Sequence, residues 1–213
     1  MLGELLLVAG FALALSFIGS LPFGIINMTV AETTVRKGFR AGVWVGMGAA
    51  MVEFIQVWFS LKLIDLFVHN SLLERIFHVI ALFVFFLLAT VYLIAGLKES
   101  RPREPRVSNL PPVPDFFRGV TISSFNVMVF PYWIFYGAYL SSNGWMKLQY
   151  IDITVFAAGS MIGTFLVLLV YAWMGILLLK RASALTRYFN WFLFVLFLGL
   201  GIFQLLKVLK EIF

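Results

Sequence analysis

The run Ser20-Leu21-Pro22-Phe23-Gly24-Ile25-Ile26-Asn27 sets a helix breaker, a permissive glycine and a polar amide inside an otherwise apolar segment. Proline removes one backbone donor and clashes with the preceding turn, so the helix breaks and carbonyls from Leu15 to Ile18 are freed. In hydrocarbon such groups are costly, and irregular backbone persists only against protein or a wet cavity. The theme returns downstream as Ser123-Ser124-Phe125-Asn126 followed by Pro131-Tyr132-Trp133. The other five of seven prolines, Pro102, Pro105, Pro111, Pro112 and Pro114, gather in one polar stretch between the two. Residues 1–98 and 116–213, on either side of a linker at 99–115, are equal in length. Interrupted apolar helices at corresponding places in two halves point to the binding site of a secondary carrier.

Composition places such a chain in a membrane. Of 213 residues 62% are hydrophobic and 12% charged, and mean hydropathy is +1.00; soluble domains have about 45–50% apolar and about 25% charged residues. The net charge of +6 comes from basic flanks on apolar segments, as expected at a cytoplasmic membrane surface, so the expected partners are lipids and a small solute, not nucleic acid. The absence of cysteine excludes disulfides and thiolate metal sites. His69 and His78 lack metal-binding spacing, and neither a metal nor a cofactor is called for.

A bilayer core needs roughly 20 helical residues, and six stretches qualify: Leu5 to Ala31, Gly42 to Leu61, Phe77 to Leu97, Phe117 to Leu140, Ile153 to Leu179, and Tyr188 to Leu206. Ala12-Leu13-Ala14 imitates a signal cleavage site, but no basic region precedes it and the apolar character continues past it. The odd loops carry Arg36, Lys37, Arg40, Lys98, Arg101, Arg103, Arg106, Arg118, Lys180, Arg181 and Arg187, eleven of the sixteen basic residues. The basic side belongs in the cytoplasm, so both termini are expected outside. Three spans per half then give two inverted repeats. Trp145, Tyr150, Tyr188 and Trp191 suit the membrane interfaces.

The polar residues inside the spans are the candidate site. Asn27 lies nine residues before Arg36 and Asn126 eight after Arg118, so each amide sits roughly 12 to 14 Å from the basic flank and is expected to be buried. Opened helix ends offer N–H groups to a carboxylate, while carbonyls and Asn side chains suit an ammonium group. Pro22, Gly24, Asn27, Ser123, Asn126 and Pro131 are thus candidates for solute binding; the alternative for each Asn is an interhelical hydrogen bond. Glu53 lies thirteen residues beyond Arg40, or about 20 Å inside, where a carboxylate costs on the order of 2.5–3.5 kcal/mol. It is the candidate for proton exchange during transport, or else a protonated carboxyl bonded to a neighbouring helix. Gly42, Gly46, Ala49 and Ala50 recur toward its face, and Gly42-x-x-x-Gly46 suits packing within the chain or between two copies. Gly159, Ser160, Gly163 and Thr164 give the fifth span a similar stripe without an acid. Glu32, four residues before Arg36, reads as an ion-pair partner.

The break with Pro22, Gly24 and Asn27, then Gly38-Phe39-Arg40-Ala41-Gly42 leading into a glycine-rich helix with an acid, resembles the LysE/RhtB-type amino-acid exporters. Phe117-Arg118-Gly119 with Asn126 resembles that family's motif at the start of its fourth helix. The resemblance spans the chain, although the family usually carries Pro-Gly-Pro where Pro22-Phe23-Gly24 stands and Asn-Pro at Asn126-Val127. It implies an all-helical, six-span inner-membrane secondary transporter that exports an amino acid or similar metabolite against an inward proton flow. The rival readings are a membrane-embedded enzyme, for which no nucleophile–base or metal constellation is present, and an assembly subunit that carries no solute.

Overall fold

The computed structural model describes residues 2–21, 24–68, 71–97 and 114–212, with backbone alone at 66–68, 71–78, 80, 81, 84, 176–187, 189, 207 and 210–212. Pro22, His69 and the linker up to residue 113 lie outside the described residues, as does the His78 side chain. The described chain forms eight helices: α1 (Leu2–Ser20), α2 (Ile25–Lys37), α3 (Phe39–Val68), α4 (Ser71–Leu97), α5 (Asp115–Ser124), α6 (Val129–Ser142), α7 (Tyr150–Trp173) and α8 (Gly175–Ile212). Among the described residues there is no strand.

The first expected span maps onto α1 and α2, and the fourth onto α5 and α6. In the second case the helix stops before Pro131 is reached. Residues 125–128 form the turn, and Pro131 is the third residue of α6. A proline in a first turn loses no ladder bond, because amides there have no partner within the helix. Pro131 therefore starts a helix and does not break one. The expected loop around Lys180, Arg181 and Arg187 is also helical, inside α8, and α7 ends at Trp173, short of the expected Leu179. Basic residues mark a polar boundary, but Lys, Arg, Ala and Leu are good helix formers, so charge alone did not make this stretch a loop.

Two compact units cut across the halves of the sequence: Met1–Ile64 with Arg103–Ala182, and Asp65–Pro102 with Ser183–Phe213. In the first, α7 packs along α1 and α2, and α2 also meets α5. One apolar cluster joins Val8 and Ala12 of α1, Val57 and Leu61 of α3, Trp133 of α6 and Phe156 of α7. Another joins Val30 and Ala31 of α2, Val45 and Ala49 of α3 and Leu168 and Tyr171 of α7. Along α3, Glu53 falls between the residues of these clusters; along α7, Ser160 and Thr164 do. The polar layer thus lies between two apolar clusters along these helices. In the second unit, Phe197 of α8 stacks on Phe85 and Tyr92 of α4.

Among the described residues three helices, Leu2–Ser20, Phe39–Asp65 and Tyr150–Trp173, are long and apolar enough to cross a membrane. Their outward positions carry Leu6, Leu7, Ile18, Ile55, Phe59 and Ile162. Apolar residues in such density on the outside call for a lipid environment. At the basic end, Arg36 pairs with Glu32 at 3.0 Å, and Lys37 with Asp115 at 2.7 Å, joining the end of α2 to the start of α5.

Candidate functional site

Glu53 is the centre of a hydrogen-bonded layer built from four helices. Its carboxylate accepts from Ser16 Oγ of α1 at 3.2 Å, and the Thr164 side chain of α7 and the Trp133 side chain of α6 lie beside it. Ser16 Oγ lies 2.7 Å from the Ser160 carbonyl and 2.6 Å from Thr164 Oγ1, which is 2.9 Å from Ser20 Oγ. Glu53, Ser16, Ser160 and Thr164 are all buried. Indole N–H only donates, whereas each hydroxyl both donates and accepts. Rotating the Ser16 and Thr164 hydroxyls therefore satisfies either a carboxylate or a carboxylic acid in the same place.

The end of α1 is held by side chains distant in sequence. Tyr132 OH donates to the Leu15 carbonyl at 2.7 Å, Asn27 Nδ2 to that of Ser20 at 2.6 Å, and Tyr171 OH to that of Leu21 at 2.7 Å. Asn27 and Tyr171 also hydrogen-bond each other. Of the carbonyls expected to be freed, Leu15 to Ile18, that of Leu15 is thus paired with Tyr132, and that of Ile18 accepts from the Leu21 N–H at 3.3 Å. Gly24 is the N-cap of α2, and neither it nor Met128 at the start of α6 gives a side-chain cap bond. The first-turn N–H groups of α2 thus have no side-chain cap, whereas in α6 the Val129 and Phe130 N–H groups donate to the Asn126 and Val127 carbonyls at 3.4 and 3.3 Å and Pro131 has no N–H.

At the second interruption, Ser123 Oγ donates to the Ala49 carbonyl at 3.1 Å, and Gln56 Nε2 to the Ser123 carbonyl at 3.2 Å. Gln56 Oε1 is buried without a partner. Asn27 is buried as expected, but Asn126 is only half-buried, because it stands in the turn between Phe125 and Val127, whose side chains face outward. Its backbone, as N–H donor to the Ser123 carbonyl at 2.9 Å, shapes that turn.

The glycines lie where helices come close. A methyl at Gly159 would stand 2.6 Å from the Ala9 carbonyl oxygen, one at Gly163 would meet the Leu13 carbonyl, and one at Gly46 would stand 3.2 Å from Leu168 Cβ. Gly42 sits against Thr34 and Val30 of α2, so this stripe faces neighbours within the chain. Gly48 and Gly119, absent from the expected stripes, have the closest backbone approach, each against the other's helix. Asp152, buried in the first turn of α7, places a carboxylate by helix N-terminal amides. Ser16, Trp133, Tyr132 and Tyr171 escaped sequence reading because each meets partners far along the chain. A faint signal existed: Ser16 and Ser20 repeat at helical spacing on an apolar helix.

Lipid-facing helices around a buried, hydrogen-bonded acid define an integral membrane protein with a polar interior layer. The model of the LysE type translocator family matches residues 17–207, and the chain belongs to that family. No curated protein and no solved structure matches it. The protein is thus a membrane translocator, working on a small solute in a lipid environment.

Proposed function

We propose that this translocator is a secondary carrier exporting an amino acid or a similar small metabolite across the bacterial inner membrane, against an inward proton flow exchanged at Glu53. The observation that carries the reading is the Glu53 layer, an acid at membrane depth whose Ser16 and Thr164 neighbours suit both of its protonation states. Intramembrane acids of this kind commonly serve proton relays.

Two inverted three-helix repeats, 1–98 and 116–213, account for an internal correspondence. Ser16 bonds the Ser160 carbonyl of α7, and Ser123 bonds the Ala49 carbonyl of α3. Ala49 and Ser160 each lie ten residues after the first residue of their helices, Phe39 and Tyr150; four residues further stand Glu53 and Thr164. An acid in one half thus answers a hydroxyl in the other. With α1–α2 and α5–α6 each acting as one interrupted span, the chain crosses six times and both termini lie outside. The uncapped start of α2 at Gly24 receives the solute carboxylate, and Pro131 fixes the start of α6 after the second interruption. The Asn126 amide and the Ser123 region receive its polar remainder, while Pro22 and Asn27 keep the first interruption open.

Counterflow in proteoliposomes with a panel of labelled amino acids tests this. At least one labelled amino acid should accumulate transiently against its unlabelled form. Folded protein that exchanges none of them would reject the solute class.

A further inference from the structure

The hydroxyls around Glu53 do more than line it: they run in a continuous file to the end of α1. Ser20 Oγ, Thr164 Oγ1 and Ser16 Oγ are spaced at 2.9 and 2.6 Å, and either oxygen of each pair can be the donor. Ser16 then reaches Glu53 Oε1 at 3.2 Å, and the Thr164 side chain also lies beside Glu53. Ser20 is the last residue of α1, half-buried and followed by exposed Leu21. We propose that Ser20, Thr164 and Ser16 form a proton wire between the interruption after α1 and Glu53, with Thr164 as the node common to both branches. The inference rests on the reading of Glu53 as the proton-exchanging group.

The step balances at every oxygen. A proton arriving at Ser20 Oγ displaces the hydroxyl proton of Ser20 to Thr164, and that of Thr164 passes to Glu53 directly or by way of Ser16. Each hydroxyl ends with one proton, Glu53 gains one, and rotation about the C–O bonds resets the file. Among the described residues, the titratable side chain bearing on Glu53 is Tyr132 of α6. Its hydroxyl donates to the Leu15 carbonyl, outside the file; Ser16, which also has the Ser160 carbonyl at 2.7 Å, relays when its proton turns from that carbonyl to Glu53. Trp133 of α6 donates without accepting, so it fixes the carboxyl and cannot relay.

The branching sets the test, which needs no solute. Protein in liposomes is subjected to a stopped-flow pH jump, and the carboxyl C=O band is followed by infrared difference spectroscopy. Glu53→Gln should delete the band. Thr90→Val, on α4 and outside the layer, should keep the wild-type rate, Ser16→Ala should slow the band, and Thr164→Val should slow it at least tenfold, equivalent to about 1.4 kcal/mol of barrier. Thr164→Ser should restore the rate, and Ser20→Ala should slow it even where Thr164→Val does not fold. Wild-type rates in Thr164→Val or Ser20→Ala, with the band still missing in Glu53→Gln, would overturn the wire alone. A band that survives Glu53→Gln would overturn the coupling reading and the wire with it.

Discussion

Replacing Glu53 with Gln is expected to abolish solute accumulation driven by a pH gradient while leaving counterflow exchange intact. The amide oxygen can still accept from Trp133, and the amide N–H groups can donate to Ser16 and Thr164 once those hydroxyls rotate. Local hydrogen bonding therefore changes by on the order of 1 kcal/mol, and the fold persists. What the amide lacks is a proton that comes and goes. Glu53→Leu differs, because it strands the Trp133 N–H in an apolar layer at a cost of about 1–3 kcal/mol. The two variants separate loss of coupling from loss of folding, and pH-driven accumulation by Glu53→Gln at the wild-type level would remove Glu53 from the mechanism.

Gly119→Ala and Gly48→Ala should each lower the thermal stability of the detergent-purified protein by several degrees. A methyl on Gly119 would meet the Val45 carbonyl and come within 3.0 Å of the Ala49 amide nitrogen; one on Gly48 would meet the Phe116 carbonyl and the Val120 nitrogen at 3.1 Å. The obstacles are backbone, so no rotamer change relieves them, and the helices must move apart. Overpacking of this kind costs about 1–3 kcal/mol, or roughly 2–4 °C per kcal/mol for a protein of this size. The same separation would pull Ser123 from the Ala49 carbonyl. Gly10→Ala is the control, since nothing stands within 4 Å of its added methyl; there the helix should gain about 0.5–1 kcal/mol. Equal melting of Gly119→Ala and Gly10→Ala would contradict the close crossing.

What could be read from the residues was local. Apolar length pointed to helices, and the described residues include α1 ending at Ser20 and α2 beginning at Ile25. At the second interruption the same rule misled. Pro131 sits in a first turn, where it is tolerated, and the turn falls at Phe125–Met128, where no proline stands. The depth of Glu53 was legible from its distance to Arg40. Its cage was not, because Ser16 and Thr164 are 148 residues apart and periodicity carries no information about which helices meet. Pairing of the Leu15 carbonyl by Tyr132, 117 residues further on, was hidden for the same reason. Small-residue spacing found Gly159 and Gly163, yet passed over Gly48 and Gly119, whose partners lie on helices that sequence spacing cannot juxtapose.

The central claim is that solute export and proton entry are one process passing through Glu53. Proteoliposomes containing a pH-sensitive dye, loaded with an amino acid that exchanges in counterflow and diluted into amino-acid-free buffer, measure it directly. The account predicts that the interior acidifies as the amino acid leaves, and that vesicles with Glu53→Gln show no such acidification. Amino-acid efflux at the full rate with an unchanged or rising internal pH in the wild type would contradict it.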